Sequence, residues 1–314
     1  MRIDSFSNTA WCDLGIVILK IYSKSKWESR KLLLLDKNPD ESNELPVVNV
    51  YVCDKDDSVF EEVNSYREKI MLKGLYLGHH FGESARLRVI DDYNIAISHS
   101  EPDEVIRWYV TKYVLNIFSL KENIMYLKGG AVEYKGKAFL ILGRGGSGKT
   151  ELIKELCKNS VKFISNTHLL VKTEEEAKVK GINSNVRVRK NGKDEFIPVY
   201  DLYGDNVCFD YTSIGGIFWF KYKIDGESNI RELKPDEIFY NMQFFSEATI
   251  NWEMKEDIAD YCESDPNIFK NNIAAIYDRL KMLSNLKSYY LNLDIHTSDG
   301  LNKTLSLMET MAAG

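Results

Sequence analysis

Hydrophobic and polar positions trade places in short runs through the first hundred residues. GIVILKIYS (15–23), RKLLLLD (30–36), VVNVYVC (47–53), RLRVID (86–91) and NIAIS (94–98) are rich in Val, Ile, Leu and Tyr and read as strands. The breaks Asp36-Lys37-Asn38-Pro39-Asp40 and Asp54-Lys55-Asp56-Asp57 are turn chemistry. Ser100 then opens a helix whose first turn carries Glu101, Pro102, Asp103 and Glu104, the residue types that a positive helix start favours. Val105, Ile106, Tyr109, Val110, Tyr113, Val114, Ile117 and Phe118 keep one apolar face along it.

Beyond the helix the period returns to short apolar runs. Lys137 to Leu142 (KAFLIL) predicts a buried strand, and Leu152, Ile153, Leu156 and Cys157 recur at helical spacing from Lys149 onward. Val161–Ile164, Leu169–Val171, the alternating Asn185–Arg189 and the apolar Ser213–Lys223 (SIGGIFWFKYK) predict further strands. Helices are expected from Pro235, with Ile238, Met242 and Phe245, and from Pro266, with Ile268, Ile273, Ile276 and Leu280. A strand from Tyr289 to Leu293 and a helix from about Leu301 close the chain. The pattern predicts a β-rich N-terminal module (1–99) and an α/β, mixed α+β domain (100–314) with C-terminal helices, joined by a connecting helix at 100–122. No Gly/Ser- or Pro-rich linker, repeat or low-complexity tract separates them.

Between the predicted strand and helix lies Gly143-Arg144-Gly145-Gly146-Ser147-Gly148-Lys149-Thr150, which fills G-x-x-x-x-G-K-[ST] at every fixed position. Glycines let backbone N–H groups curl around phosphate oxygens, where a Cβ would block the turn. Lys149 is placed to reach the β- and γ-phosphates, Thr150 to take one coordination site on Mg²⁺, and the helix dipole points at the phosphates. Strand, glycine loop and helix in this order make the pattern specific. ATP, or another nucleoside triphosphate, with Mg²⁺ is the expected cofactor pair.

Composition narrows the rest. The 314 residues carry 41 Lys and Arg against 47 Asp and Glu, a formal charge of −6, which argues against a general nucleic-acid binder. No apolar run approaches the roughly 20 residues of a membrane span, and no secretion signal opens the chain. Five scattered cysteines (Cys12, Cys53, Cys157, Cys208, Cys262) without a C-x-x-C pair read as reduced thiols of a cytoplasmic protein. The adjacent His79-His80 has no cysteine nearby and reads as a surface or turn pair. Leu32 to Asp36 imitates the apolar-run-plus-Asp signature that holds Mg²⁺ in many phosphate-loop enzymes, but it precedes the loop by more than a hundred residues and reads as a strand entering a turn.

The segment from Leu127 to Leu170 resembles the HPr kinase/phosphorylase superfamily and its HPr-kinase-related relatives near peptide-modification pathways, whose core is akin to phosphoenolpyruvate carboxykinase. The likeness lies in G-G-A-V-E-Y-K-G-K-A (129–138), the loop, the G-K-T-E junction ending in Glu151, and the strand FIS (163–165). It implies a two-layer mixed sheet with the phosphate loop at its heart, and an ATP-dependent kinase of a hydroxyl on a protein, a peptide or free serine. Members often assemble, so the resemblance also admits a homo-oligomer, although no device in the sequence demands one. Such a family places two aspartates seventeen and eighteen residues past the loop lysine and a histidine at the start of the preceding hairpin. Here those positions are Asn166, Thr167 and Lys128, with His168 next.

The rewritten positions carry the candidate chemistry. Asn166 can touch metal-bound waters but holds a hard cation less well than a carboxylate. Neither it nor Thr167 accepts a proton near neutrality; His168 can. Lys128 can add positive charge beside the γ-phosphate. Arg187 and Arg189 share one strand face and can clamp phosphate or an acidic substrate. Asp201 and Asp205, flanking Leu202-Tyr203-Gly204, are candidates for a displaced carboxylate. Three functions are compatible with this set. They are a phosphotransferase acting on a peptide, protein or small-molecule hydroxyl, a nucleotide-binding module that has lost catalysis and binds a partner or peptide, and another ATP-dependent group or nucleotidyl transfer.

Overall fold

The computed structural model describes residues 6–25, 28–35, 39, 44–60, 85–190, 193–223, 228–245, 262 and 265–313, with backbone alone at 189–190 and 244–245. The His79-His80 pair, Asp36 and most of the 36–40 turn lie outside the described residues. The chain divides into two compact units, 1–118 with 183–198 and 119–182 with 199–314. Most of the helix expected at 100–122 therefore falls in the first unit, together with a later hairpin.

In the first unit, β1 (Asn8–Asp13), β2 (Ile18–Ser23), β3 (Val47–Val52), β4 (Arg86–Asp91) and β5 (Asn94–Ser98) form a five-stranded sheet ordered β1-β2-β3-β5-β4. The pairs β2–β3 and β3–β5 are parallel; β1–β2 and β4–β5 are antiparallel. The turn expected at Asp54–Asp57 forms, with the Asp57 amide donating to the Asp54 carbonyl at 3.1 Å. The strand expected at 30–36 does not: Arg30–Leu35 enter no ladder. The Leu35 amide donates to the Trp11 carbonyl at 2.8 Å, but the first three backbone donors are taken by side chains. The Arg30 and Lys31 amides donate to the Asp103 carboxylate at 2.9 and 3.3 Å, and the Leu32 amide donates to Ser29 Oγ at 2.9 Å. A side chain that competes for the backbone in this way stops a strand from pairing.

The expected continuous helix is also interrupted. It consists of α1 (Pro102–Val105), a π-helical turn (Ile106–Val110) and α2 (Thr111–Lys121). The widened turn holds Arg107, whose guanidinium lies 4.9 Å from the Trp108 ring and 4.5 Å from that of Phe196. Phe196 belongs to an antiparallel hairpin of β12 (Asn185–Lys190) and β13 (Lys193–Pro198).

The second unit is a mixed α/β body built on a nine-stranded sheet. Its strands are β6 (Met125–Lys128), β7 (Gly130–Tyr134), β8 (Lys137–Leu142), β9 (Lys162–Ser165), β10 (His168–Lys172), β11 (Lys178–Gly181), β14 (Thr212–Tyr222), β15 (Asn229–Glu232) and β16 (Ser288–Leu293). The main path runs β6-β10-β11-β14-β8-β7-β9, and the eleven-residue β14 also pairs in parallel with β16. The hairpin β7–β8 turns at Lys135-Gly136, both at positive φ (52° and 78°), the geometry that a two-residue connection of right-twisted strands requires.

One face of this sheet offers Leu127, Leu140, Leu142, Leu169, Val171, Ile217 and Trp219 to Ile238 and Met242 of α5 (Pro235–Phe245) and Ile276, Leu280 and Leu283 of α6 (Pro266–Ser284). Each such side chain contributes about 1.5–3 kcal/mol by leaving water. Asp265 caps α6 by accepting from the Asn267 amide at 2.8 Å, ahead of Pro266. The last helix, α7 (Ser298–Ala312), starts three residues before Leu301 because Thr297 accepts from the Gly300 amide. Remaining short elements are α3 (Lys149–Cys157) and α4 (Val199–Tyr203).

Candidate functional site

β8 is wholly buried from Ala138 to Leu142 and delivers the chain to Gly143; α3 begins at Lys149, where the apolar period predicted it. The loop between them is shaped by backbone that only glycine adopts cheaply. Gly148 stands at the N-cap with φ 87°, and a Cβ there would lie 2.8 Å from Tyr222 Cβ. Gly148 brings no side chain to cap the first amides of α3, so those donors and the positive end of the helix are left to whatever the loop encloses. The end of β14 steadies the loop from the other side, where the Tyr222 amide donates to the Ser147 carbonyl at 2.8 Å.

Lys149 folds back over its own loop. Its Nζ donates to the carbonyls of Gly143 (2.8 Å) and Arg144 (2.9 Å) and lies 3.5 Å from Ser147 Oγ. Burial, and secondarily the charge of Lys128, pull its pKa down to about 8. The loop lysine is thus a cation held where water is scarce and another cation is near. An anion there would relieve both costs.

The Gly129-Gly130 pair explains how Lys128 comes to be near. A Cβ on Gly129 would lie 2.5 Å from Leu142 Cδ2; one on Gly130 would lie 2.5 Å from Ile153 Cδ1 and 3.1 Å from the Ser165 carbonyl. The turn between β6 and β7 can therefore press against the end of β8, the first turns of α3 and the end of β9 at once. The antiparallel pairing of β6 with β10 sets Lys128 directly opposite His168, and the Gly129 amide donates to the Thr167 carbonyl at 3.0 Å. Lys128 and His168 share one face of that strand pair with Tyr126.

Tyr126 is fully buried, and its hydroxyl is hydrogen-bonded to His168 Nδ1 at 2.7 Å. The turn leading to His168 is fixed by Ser165, whose Oγ accepts from the Thr167 and His168 amides (3.2 and 3.1 Å) and donates to the His168 carbonyl (2.8 Å). Asn166 Oδ1 accepts from Thr167 Oγ1 at 3.4 Å. Neither Tyr126 nor Ser165 stood out in the sequence. One reads as part of an apolar run, and the other as the last residue of the strand FIS.

The structure brings Gly143 to Glu151, Lys128, Asn166, Thr167 and His168 to one end of the second unit's sheet. Glu151 sits in the first turn of α3 and lies 3.9 Å from Lys154 Nζ. Asp201 and Asp205 are not part of this set. Asn206 Nδ2 donates to the carbonyls of Cys157 and Val161, so that segment packs where β9 begins, at the opposite end from Asn166. Both aspartates are exposed. Arg187 and Arg189 stand on β12 in the first unit, where Arg187 lies 3.6 Å from Asp194; the Arg189 side chain lies outside the described residues.

A resident Mg²⁺ finds a poor donor set. Among the described residues no three His, Cys, Asp or Glu gather into a cluster able to hold a metal. The oxygens at the expected position belong to Thr150, Asn166 and Thr167, all neutral, whereas Mg²⁺ favours carboxylate and phosphate. Among the described residues, too, no helix is long and apolar enough to cross a membrane.

No family model matches the chain, and no curated protein matches it. A solved structure to which it is similar is the Hpr(Ser) kinase/phosphatase from Coxiella burnetii, at 13% identity over 59% of this chain and 96% of that one, with a TM-score of 0.33. A likeness so slight leaves the function to the residues themselves.

Proposed function

We propose that the chain is an ATP-dependent phosphotransferase that moves the γ-phosphoryl group to a hydroxyl of a peptide, protein or small molecule. The observation that carries this reading is the glycine loop between β8 and α3, with its half-buried Lys149 crowded by the second cation, Lys128. Phosphoryl transfer needs positioning and charge stabilisation more than covalent chemistry from the protein, and a loop of backbone donors with two lysines supplies both. In the proposed reaction the acceptor oxygen bonds to the γ-phosphorus, the bond from that phosphorus to the bridging oxygen of ADP breaks, and the hydroxyl proton passes to His168.

The second reading is a nucleotide-binding module without transfer activity. The neutral side chains at Asn166 and Thr167 favour it, because they remove the carboxylates that a base and a metal would use. Incubation of the protein with labelled ATP, with and without Mg²⁺, separates the two when free serine, peptides and small alcohols are offered and products are read by mass spectrometry. A phosphorylated acceptor with ADP is expected; AMP would indicate a different group transfer. ATP that binds and stays intact with every acceptor would end the phosphotransferase reading and leave the binding module.

A further inference from the structure

Arg187 shares a strand face with Arg189, but in the first unit it meets a different arginine. On the antiparallel hairpin Arg187 stands directly opposite Phe196, so the two side chains leave the same face with Cβ atoms about 5 Å apart. Phe196 is also the ring that Arg107 covers, its guanidinium 4.5 Å from the centroid. Two arginines therefore meet at one phenylalanine, one carried there by β12 and the other by the π-helical turn. Widened turns of this kind are rare in helices and recur at functional sites.

The donors of this pair are left to be met. Trp108 and Phe196 lie 4.9 and 4.5 Å from the Arg107 guanidinium, and a ring face attracts the cation without taking up its five N–H donors. Among the described residues no oxygen accepts a hydrogen bond from Arg107. Asp194 lies 3.6 Å from Arg187, beyond hydrogen-bond length. Burial, and after it the charge of Arg187, lower the pKa of Arg107 to about 10. Both are costs that one added anion relieves.

The local charge selects the ligand. Asp194 offsets one of the two guanidinium charges, which leaves room for a single negative charge. A carboxylate supplies it in the planar form that an arginine fork matches. A phosphate group, at about −1.5 to −2 near neutrality, would set a second negative charge against Asp194. We infer that Arg107 and Arg187, steadied by Trp108 and Phe196, form a carboxylate-binding site of the first unit. The carboxylate comes from the acidic side chain of a peptide or from a free small acid. The inference does not depend on the nucleotide reading of the glycine loop.

Arginine Nε–H resonances of the ¹⁵N-labelled full chain, assigned by substitution, read this site. The probes are a blocked Gly-Glu-Gly peptide, its Gly-Gln-Gly counterpart, sodium acetate, and sodium chloride at equal ionic strength. The Arg107 and Arg187 signals are expected to move together and saturably with the glutamate peptide, and to stay in place with the glutamine peptide and chloride. Acetate acting at the same concentration assigns the site to free acids; acetate weaker by about fivefold or more assigns it to peptides. Arg107→Lys keeps the charge but loses the planar fork. Its dissociation constant for the glutamate peptide, read on Arg187, should rise about tenfold or more with an unchanged thermal unfolding transition. Asp194→Asn removes the competing carboxylate and should lower that constant by about threefold.

Signals that ignore the glutamate peptide, or that move as far with chloride, overturn the site. So does Arg107→Lys binding the peptide as the parent does, or Asp194→Asn binding it less tightly.

Discussion

Lys149 should make the ligand-free protein less stable than it need be, by an amount the structure allows one to work out. Its pKa is pulled from the ordinary 10.5 to about 8, by burial first and by Lys128 second. Each pKa unit is worth about 1.4 kcal/mol, so below pH 8 holding the charge in the folded state costs about 3 kcal/mol. The two carbonyls that accept from Nζ become open to water when it is removed, and unmade bonds there bring the net figure for Lys149→Met down to about 1–3 kcal/mol of added stability. The sign follows from which state gives up its proton first. The folded state does, so the penalty is complete below pH 8, fades as pH rises toward 10.5, and is absent above it. Urea unfolding of the ligand-free parent and variant at pH 7 and at pH 10 reads both quantities. The variant should unfold at higher urea at pH 7, and the gap should narrow at pH 10. A variant no more stable than the parent at pH 7, or a gap indifferent to pH, would refute the burial of an uncompensated charge. With ATP present the order should reverse, because only the parent gains stability by binding.

Two further substitutions probe the frame around that lysine. Gly148→Ala meets both a positive φ and Tyr222 Cβ at 2.8 Å, so thermal denaturation should show a loss of about 1–3 kcal/mol. Gly136→Ala, also at positive φ but with nothing within 4 Å of the added Cβ, should cost about 1 kcal/mol, and equal losses would show that crowding at Tyr222 is unimportant. Tyr126→Phe removes the hydroxyl bonded to His168 Nδ1 at the cost of about 1 kcal/mol. The ring ¹⁵N shifts of His168 should move, and turnover should fall while nucleotide affinity holds; unmoved shifts would break the link between the two side chains.

The loop and its flanking strand and helix were legible because each obeys a local rule: a buried apolar run, a glycine pattern and a 3.6-residue period. The same holds for α5, α6 and β16, where the proline starts and the apolar stripes settled the reading. What escaped the sequence was set by partners far along the chain. Arg30–Leu35 reads as a strand until Asp103, some seventy residues later, takes the amides of Arg30 and Lys31. The π turn at Ile106–Val110 leaves no trace in the apolar pattern, since Ile106, Tyr109 and Val110 are buried on either account. In the site, Lys128 was visible as a changed position and His168 as the proton acceptor next to two others. That they face each other follows only from the β6–β10 register, which no local pattern encodes. Asp201 and Asp205 looked available because exposed acids in a turn are easy to see, yet they say nothing of where the turn lies, and this one packs where β9 begins.

The hairpin β12–β13 belongs to the first unit although the chain reaches it from the second. The polypeptide therefore crosses between the units at 118–119, at 182–183 and again at 198–199. Such a chain cannot be divided by one cut. A fragment ending after α2 lacks Phe196 against Arg107 and the bond from Asn185 to the Arg30 carbonyl, while a fragment starting there carries a hairpin whose neighbours have gone. Shuffling by end-to-end fusion could not have exchanged either unit intact, nor could a single proteolytic nick set one free. The unit bearing the glycine loop and the unit bearing the five-stranded sheet are bound to be inherited and expressed as one.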